Sequence, residues 1–274
     1  MEKNVTYNFK LKMQSGKKVF GQAVGLGNDP EKTVRALKDF GYDFILLDNE
    51  HCLLNKETIY SYVRAATEMD ITIWVRPEEN AAPFRCYLDA GVNGLMLPHV
   101  DTVEETTYAV NQAYFPPIGQ RGYGIGISPY LIDFQSMSEV PLLGLTEYIN
   151  NNTVVFPMTE SLESISNLPH ILRLEGVTGT IVGVFDLAID IGGIDPKALA
   201  AEVLTTDFFE EKLRQIVKIC QGAGKIAGIG GFPPKSLARW AKEGYQLLLI
   251  PGYVQDDNVS DQQPRIEEVR ALIG

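Results

Sequence analysis

Four apolar runs along the chain end in polar residues whose types could do chemistry. These residues are Asp48, Glu50 and His51 after the first run, Arg76 after the second, Glu160 after the third and Asp186 after the fourth. Carboxylates, a histidine and an arginine are together suited to proton transfer, to holding a cation and to stabilising a developing oxyanion. They can act together only if the fold brings the four run ends to one place.

Glu160 and Asp186 are the candidate metal ligands. They lie 26 residues apart, about the length of one strand–helix unit, so both are expected at the ends of neighbouring strands. Two like charges in one pocket repel each other unless a proton or a cation lies between them. Without His or Cys beside it, such a pair favours a hard ion such as Mg²⁺ or Mn²⁺. The alternative is that Glu160 caps a helix beginning at Ser161 and Asp186 caps a turn before Ile191.

Arg76 is the candidate for oxyanion stabilisation. It ends a strand-like run and precedes Pro77, which restricts how the chain leaves that run. A guanidinium at this place can hold a keto oxygen that becomes an enolate. The alternative is an ion pair with Asp48 or Glu50, and the two interpretations are compatible.

His51 is the candidate acid or base among the three histidines of the chain. Its alternative is an ordinary loop histidine. His99, which follows another apolar run, is the rival candidate. His170 lies within a helical pattern, where a structural or surface role is expected.

Eight β-rich runs alternate with amphipathic stretches along the chain. The predicted strands are 19–25, 44–50, 71–76, 94–99, 154–160, 180–185, 226–230 and 247–251, and the predicted helices are 30–40, 56–69, 80–90, 102–114, 161–175, 207–223, 233–243 and 263–273. This alternation predicts parallel strands with helical crossovers, and eight repeats match a (β/α)₈ TIM barrel in one domain spanning 1–274. A doubly wound open sheet is the alternative.

Two segments interrupt this rhythm. Residues 1–18 are predicted to form a helix and a turn that cover the bottom of the barrel. Residues 115–152 are predicted to form an insertion after the fourth strand on the active face, with a short helix at 142–150.

Composition and charge exclude several classes of protein. The 24 Lys and Arg against 35 Asp and Glu give a net charge of −11, which opposes binding to nucleic acid or to an anionic membrane. No apolar run approaches the roughly 18 residues of a membrane span, so we expect a cytoplasmic protein. The three cysteines stand outside any CxxC or CxxH motif, which predicts reduced thiols and no structural zinc.

Several motifs together carry a family resemblance over nearly the whole chain. They resemble the HpcH/HpaI family of class II pyruvate aldolases in the runs Asp48-x-Glu50-His51, Val75-Arg76-Pro77, Leu88-Asp89-Ala90-Gly91, Pro117-x-Gly119-x-Arg121-Gly122, Glu160-Ser161 and Gly183-x-x-Asp186-Leu187.

The resemblance implies a TIM barrel, a homo-oligomer built from dimers up to a hexamer, and a divalent metal, Mg²⁺, Mn²⁺ or Co²⁺. By resemblance, Glu160 and Asp186 match the metal ligands, and Arg76 matches the substrate-binding residue that steadies a pyruvate enolate. His51 matches the acid/base histidine, with Asp89 as its partner. The turn of Gly183, Val184 and Phe185 leading to Asp186 matches the backbone amides that receive the pyruvate carboxylate.

The chain departs from the family pattern near these residues. Met158 stands where the family has Gln, Val184 stands where it has Pro, and the Arg-Ala pair that follows Arg121-Gly122 in the family is absent. These changes remove polar groups around the implied metal and substrate.

The residues and the resemblance favour a carbon–carbon lyase that acts on a hydroxy-oxo acid, with pyruvate and an aldehyde as the two fragments. The alternatives are a related oxo-acid lyase or synthase with another acceptor, and a non-catalytic, metal-dependent oxo-acid-binding protein. A Schiff-base mechanism requires a lysine inside the barrel, and no predicted strand contains one.

Overall fold

Eight parallel strands close into a barrel in the computed structural model, which describes residues 5–78, 84–124, 141–192 and 200–274. Each strand pairs with the next along the chain, and the first pairs with the last. The strands are β1 (Val19–Val24), β2 (Phe44–Asp48), β3 (Thr72–Arg76), β4 (Gly94–Leu97), β5 (Val154–Thr159), β6 (Gly179–Val182), β7 (Ile226–Ile229) and β8 (Leu247–Leu249). The predicted (β/α)₈ barrel is confirmed, and the open sheet is excluded.

Helices connect the strands and surround the barrel. They are α1 (Val5–Gln14), α2 (Pro30–Asp39), α3 (Lys56–Glu68), α4 (Phe84–Ala90), α5 (Val103–Ala113), α6 (Leu142–Asn151), α7 (Leu162–Ile171), α8 (Val184–Gly192), α9 (Ala200–Val203), α10 (Asp207–Ala223), α11 (Pro234–Glu243) and α12 (Gln262–Ile273). Among the helices of the described ranges, none combines the length and the apolarity that a bilayer span requires.

Local sequence signals fix where several helices begin. The Asp29 side chain accepts a hydrogen bond from the Lys32 N–H, and Pro30 occupies the first position of α2. At α5, Thr102 and Glu105 form a reciprocal capping box.

The core has two parts, one inside the barrel and one between the strands and the helices. Inside the barrel, Trp74 stacks on Phe44 with 4.4 Å between ring centroids and lies 5.0 Å from the Phe156 ring. Gly94 on the next strand makes room for it, since a Cβ there would overlap the indole ring. Phe9 of α1 packs edge-on against Phe44 and Trp74 and closes the amino-terminal end of the barrel, as predicted.

Several predicted boundaries are wrong. The sixth strand was expected to run to Phe185, but β6 ends at Val182 and a helix that the sequence analysis did not predict, α8, begins at Val184. The helix predicted over 161–175 is α7, and it ends at Ile171. The insertion after β4 includes α6, close to the predicted 142–150. Residues 80–83 of the predicted fourth helix and 125–140 of the insertion lie outside the described residues.

Candidate active site

A cavity of about 490 Å³ opens at the carboxyl ends of the strands. His51, Arg76, Gly183, Val184, Phe185 and Asp186 all line it, so the fold brings together residues from three of the four runs. Glu160, from the remaining run, is not among the lining residues, but the charge of the neighbouring Asp186 acts on it. Strand register explains this convergence. Asp48 pairs with Arg76 across β2 and β3, and Thr159 pairs with Val182 across β5 and β6, so these strands end at one level.

Arg76 is held by a buried network at the cavity wall. Its Nε donates to Asp48 Oδ1 at 2.9 Å and its Nη2 donates to Asp48 Oδ2 at 2.7 Å. Nη2 also donates to the Tyr253 hydroxyl at 2.9 Å, and that hydroxyl donates to Asp48 Oδ2 at 2.8 Å. Glu50 Oε2 lies 3.1 Å from Nε. Arg76 is therefore both the ion-pair partner and the cavity-facing cation that the sequence left open.

The pairing of Asp48 with Arg76 fixes their charges. Burial alone would raise the pKa of Asp48, but the hydrogen bonds and charge of Arg76 outweigh burial and lower that pKa. Burial alone would lower the pKa of Arg76, and Asp48 outweighs it in the opposite direction. Both groups are charged at neutral pH, so the guanidinium is a fixed cation at the cavity.

Tyr253 is a site residue that the sequence analysis missed. It follows β8 on the loop Pro251-Gly252-Tyr253, lines the cavity, and joins Arg76 to Asp48 through its hydroxyl. Burial raises the pKa of this hydroxyl, which keeps it a neutral donor. Its position directly after the last strand, where barrel enzymes carry functional residues, is the signal that could have identified it.

Glu160 directly follows β5, whereas Asp186, predicted at the end of the next strand, lies in the first turn of α8 after β6 has ended at Val182. The main-chain N–H of His99 donates to Glu160 Oε1. Burial raises the pKa of Glu160 to about 7, the charges of Asp186 and Glu50 add to this, and His99 opposes it. Glu160 is thus a buried carboxylate beside two other acids, an arrangement that a cation would relieve.

Glu160 does not cap the helix that follows it. Ser161 caps α7, because its Oγ accepts from the Ser164 N–H at 2.9 Å. Asp186 lies in the first turn of α8 rather than in a turn before Ile191. The capping alternative therefore fails for Glu160.

Gly183 leaves the space that the Glu160 side chain occupies. A Cβ at Gly183 would lie 2.7 Å from the Glu160 Cβ and closer still to its Oε2. After Gly183, α8 begins, and its first helical hydrogen bond runs from the Leu187 N–H to the Gly183 carbonyl. The N–H groups of the first turn, from Val184 to Asp186, therefore precede the bonded part of the helix at the cavity wall, where they are suited to an anion.

Glu50 links the two candidate histidines to Arg76. His51 Nε2 lies 3.5 Å from Glu50 Oε2, and His99 Nε2 lies 3.2 Å from Glu50 Oε1. The His51 side chain is 59% exposed and lines the cavity. The His99 ring lies between Glu50 and Glu160, with Nδ1 3.5 Å from Glu160 Oε1. His51 is therefore the better placed of the two for contact with a substrate.

Asp89, predicted as the partner of His51, forms an ion pair with Arg121 instead. Its Oδ1 lies 2.5 Å from Nη2 of Arg121, whose guanidinium lies over the Phe115 ring. Within the described residues, Glu50 and not Asp89 is the acid beside His51. A catalytic role for Asp89 stays a prediction.

The part of the chain that the structure describes has no cluster of three His, Cys, Asp or Glu side chains arranged for a metal. Glu160 and Asp186 are thus the candidate ligands as a pair. Two hard oxygen donors leave coordination positions open for water and for substrate oxygens. This donor chemistry fits Mg²⁺, Mn²⁺ or Co²⁺ and not a closed structural site.

Known proteins resemble this chain in sequence and in fold. A 4-hydroxy-2-oxo-heptane-1,7-dioate aldolase from Klebsiella pneumoniae is 30% identical over 226 residues, covering 81% of this chain and 78% of the relative. An HpcH/HpaI aldolase structure from Desulfitobacterium hafniense superimposes with a TM-score of 0.78 at 24% identity, covering 96% and 95% of the two chains. The CitE protein from Mycobacterium tuberculosis has the same fold, with a TM-score of 0.56 at 12% identity and 95% and 91% coverage.

The family model described as HpcH/HpaI aldolase/citrate lyase matches residues 26–246, which include every predicted site residue. This match spans most of the barrel. The chain belongs to the HpcH/HpaI aldolase/citrate lyase family and is a carbon–carbon lyase of the aldolase type.

Proposed function

We propose that this enzyme is a divalent-metal-dependent aldolase that cleaves or forms a hydroxy-oxo acid through a pyruvate enolate and an aldehyde. One observation carries the proposal: Arg76, Asp186 and the first turn of α8 line one cavity, and Glu160 lies close enough to Asp186 for the charge of Asp186 to raise its pKa. These are the groups needed to hold a 2-oxo acid and to stabilise its enolate.

Glu160 and Asp186 would hold the metal. The raised pKa of Glu160 beside Asp186 and Glu50 supports a cation there, as does the space that Gly183 leaves at the Glu160 carboxylate. A bound divalent cation supplies Lewis-acid stabilisation of negative charge on an enolate. In the Mycobacterium tuberculosis protein, the same fold binds magnesium and pyruvate, which supports this choice of ligand class.

Arg76 and α8 would orient the oxo acid. Val184 and Phe185 line the cavity at a helix amino terminus, where their N–H groups would receive the carboxylate. Arg76 would donate to the keto oxygen as its negative charge develops. Asp48 and Tyr253 act as positioning residues, because their hydrogen bonds hold the guanidinium in one orientation.

His51 would transfer the proton of the aldol hydroxyl. It is exposed to the cavity and lies beside Glu50, which would stabilise its protonated form. The eight strands of the described barrel contain no lysine, which supports enolate chemistry over a Schiff base.

Exchange of the pyruvate methyl protons tests the proposal without any aldehyde. Wild-type enzyme in D₂O with Mg²⁺ is expected to incorporate deuterium at C3 of pyruvate. Mass spectrometry of the pyruvate measures this incorporation. Chelation should abolish the exchange, and adding back Mg²⁺, Mn²⁺ or Co²⁺ should restore it. Glu160→Gln and Asp186→Asn should behave like the chelated enzyme. Full exchange by a demonstrably metal-free preparation would overturn the metal dependence.

His51→Ala separates an enzyme from a binding protein. We expect aldol cleavage to fall by about 10²-fold, the usual contribution of a general acid or base, while C3 exchange falls less. A protein that only binds oxo acids would show neither reaction in the wild type.

A further inference from the structure

We propose that the acceptor aldehyde used by this site is uncharged and apolar at the end distant from its carbonyl group. The inference rests on the proposed function. It follows from the juxtaposition of a carboxylate-rich centre with a cavity wall whose described residues include apolar side chains and no unpaired cation.

Negative charge dominates the centre of the site. Asp48, Glu50, Glu160 and Asp186 converge there, and Arg76 is the one Lys or Arg that lines the cavity within the described ranges. Two acids and Tyr253 already bind the Arg76 guanidinium. After the carboxylate and keto group of pyruvate are bound, no fixed cation of the described lining is left for a second carboxylate.

Two of the stretches outside the described residues contain no basic side chain. Residues 79–83 and 125–140, which follow β3 and precede α6 in the sequence, include no Lys, Arg or His.

An apolar wall borders the place where pyruvate would bind. We define it as Phe185, Leu249, Ile250, Pro251 and the Tyr253 ring, all of which line the cavity. Phe185 belongs to the first turn of α8, so the wall begins beside the N–H groups proposed for the pyruvate carboxylate. The Phe185 ring covers Gly231, where a Cβ would lie 3.3 Å from Cε2. An aldehyde that meets pyruvate in this cavity therefore places its chain against carbon.

The physical consequence is a preference for one class of acceptor. An acceptor carboxylate against the apolar wall would lose water without gaining a cation or another polar partner. An alkyl end would instead bury apolar surface. In this respect the enzyme would differ from its Klebsiella relative, whose name specifies a substrate with two carboxylates.

Two acceptors of equal length test the inference. With full-length, Mg²⁺-loaded enzyme and pyruvate, kcat/KM is measured for butanal and for succinic semialdehyde, which differ only in a terminal methyl or carboxylate. We expect butanal to be favoured by about tenfold to a hundredfold, the usual effect of burying an unpaired polar group. Equal values, or a preference for the semialdehyde, would overturn the inference.

A cation placed in the wall should reverse the preference. Phe185→Arg keeps the main-chain N–H and should raise the semialdehyde-to-butanal ratio by about tenfold. Ile189→Arg is the matched control, since Ile189 is on the same helix one turn later, is 68% exposed and lies outside the cavity lining. An equal shift in both variants would show a general charge effect and contradict the apolar wall.

Pyruvate C3 exchange distinguishes a failure of the acceptor inference from a failure of the proposed function. Exchange in the wild type with the opposite acceptor preference would overturn only the acceptor inference. Absence of metal-dependent exchange would overturn the proposed function, and with it this inference.

Discussion

The guanidinium of Arg76 makes two parallel hydrogen bonds to Asp48 and still lines the cavity. Its planar fork allows this, because one edge can bind a carboxylate while the rest of the group faces a ligand. A lysine ammonium is a point charge and cannot keep the bidentate contact in the same orientation.

Arg76→Lys is therefore expected to lower kcat by about 10²- to 10³-fold, the usual cost of removing an oxyanion donor. Folding should be retained, because the positive charge beside Asp48 remains. Circular dichroism and steady-state kinetics with pyruvate and an aldehyde measure the two effects. Arg35→Lys, an exposed pair with Glu31, is the control and should have wild-type kcat. A near-normal kcat for Arg76→Lys would reduce Arg76 to an ion-pair partner.

Prediction of single residues from the sequence succeeds where the signal is local. Arg76 ends β3 and Glu160 directly follows β5, so their place at the carboxyl end of the barrel follows from the strand pattern alone. Tyr253 is different, since its partner Arg76 is 177 residues away and the contact exists only after β8 closes against β1. The contacts of Asp89 depend in the same way on the packing of an insertion that periodicity does not describe.

At the scale of elements, the junction of β6 and α8 shapes the site. The sequence predicts a strand to Phe185 because a short apolar run fits strand and helix equally well. In the structure, Val184, Leu187, Ala188 and Ile191 form the buried face of a helix. Ending the strand at Val182 turns the chain at Gly183 and directs the amino terminus of α8 at the cavity.

Gly183→Ala should weaken metal binding by about tenfold or more, in line with changes to the surroundings of a metal ligand. The added methyl group would collide with Glu160 and displace its carboxylate. Isothermal titration calorimetry with Mn²⁺ measures the affinity.

Gly222→Ala is the control for Gly183→Ala. Gly222 lies in α10 with open space around its Cα, so this variant should bind metal normally. Equal affinity of Gly183→Ala and wild type would mean that Glu160 does not hold the metal from its present position.

At the scale of the whole molecule, the two ends of the barrel have different tasks. The carboxyl end carries the site, whereas α1 covers the amino end with Phe9 and Met13, both buried against the interior aromatic cluster. Stability and chemistry are thus located at opposite ends of the same set of strands, as is usual for this architecture.

Phe9→Ala should lower the free energy of unfolding by about 3–5 kcal/mol, the usual cost of truncating a buried Phe. Urea unfolding followed by circular dichroism measures this change. Leu11→Ala on the same helix is the control, since Leu11 is 45% exposed and should cost far less. Metal affinity should not change in either variant. A large loss of metal affinity in Phe9→Ala would contradict the separation of the two ends.

Alternation of strands and helices predicts the eight strand–helix units, but it leaves barrel and open sheet as alternatives, and only the pairing of β1 with β8 decides for closure. Domain extent, oligomeric assembly and cytoplasmic location depend on interactions beyond one folded chain, and these stay predictions. The net charge of −11 opposes binding to nucleic acid and to anionic membranes, but it does not identify a partner.

The two tryptophans of the chain lie in different parts of the molecule. Trp74 lies in the barrel interior among aromatic rings, two residues before Arg76 on β3, while Trp240 lies in the outer shell beneath the guanidinium groups of Arg214 and Arg239. Alternate residues of a strand share a face, so the indole of Trp74 is directed to the same interior as Arg76. Replacing Trp240 with Phe leaves Trp74 as the single tryptophan, so fluorescence excited selectively at tryptophan would report on the barrel interior below the active site.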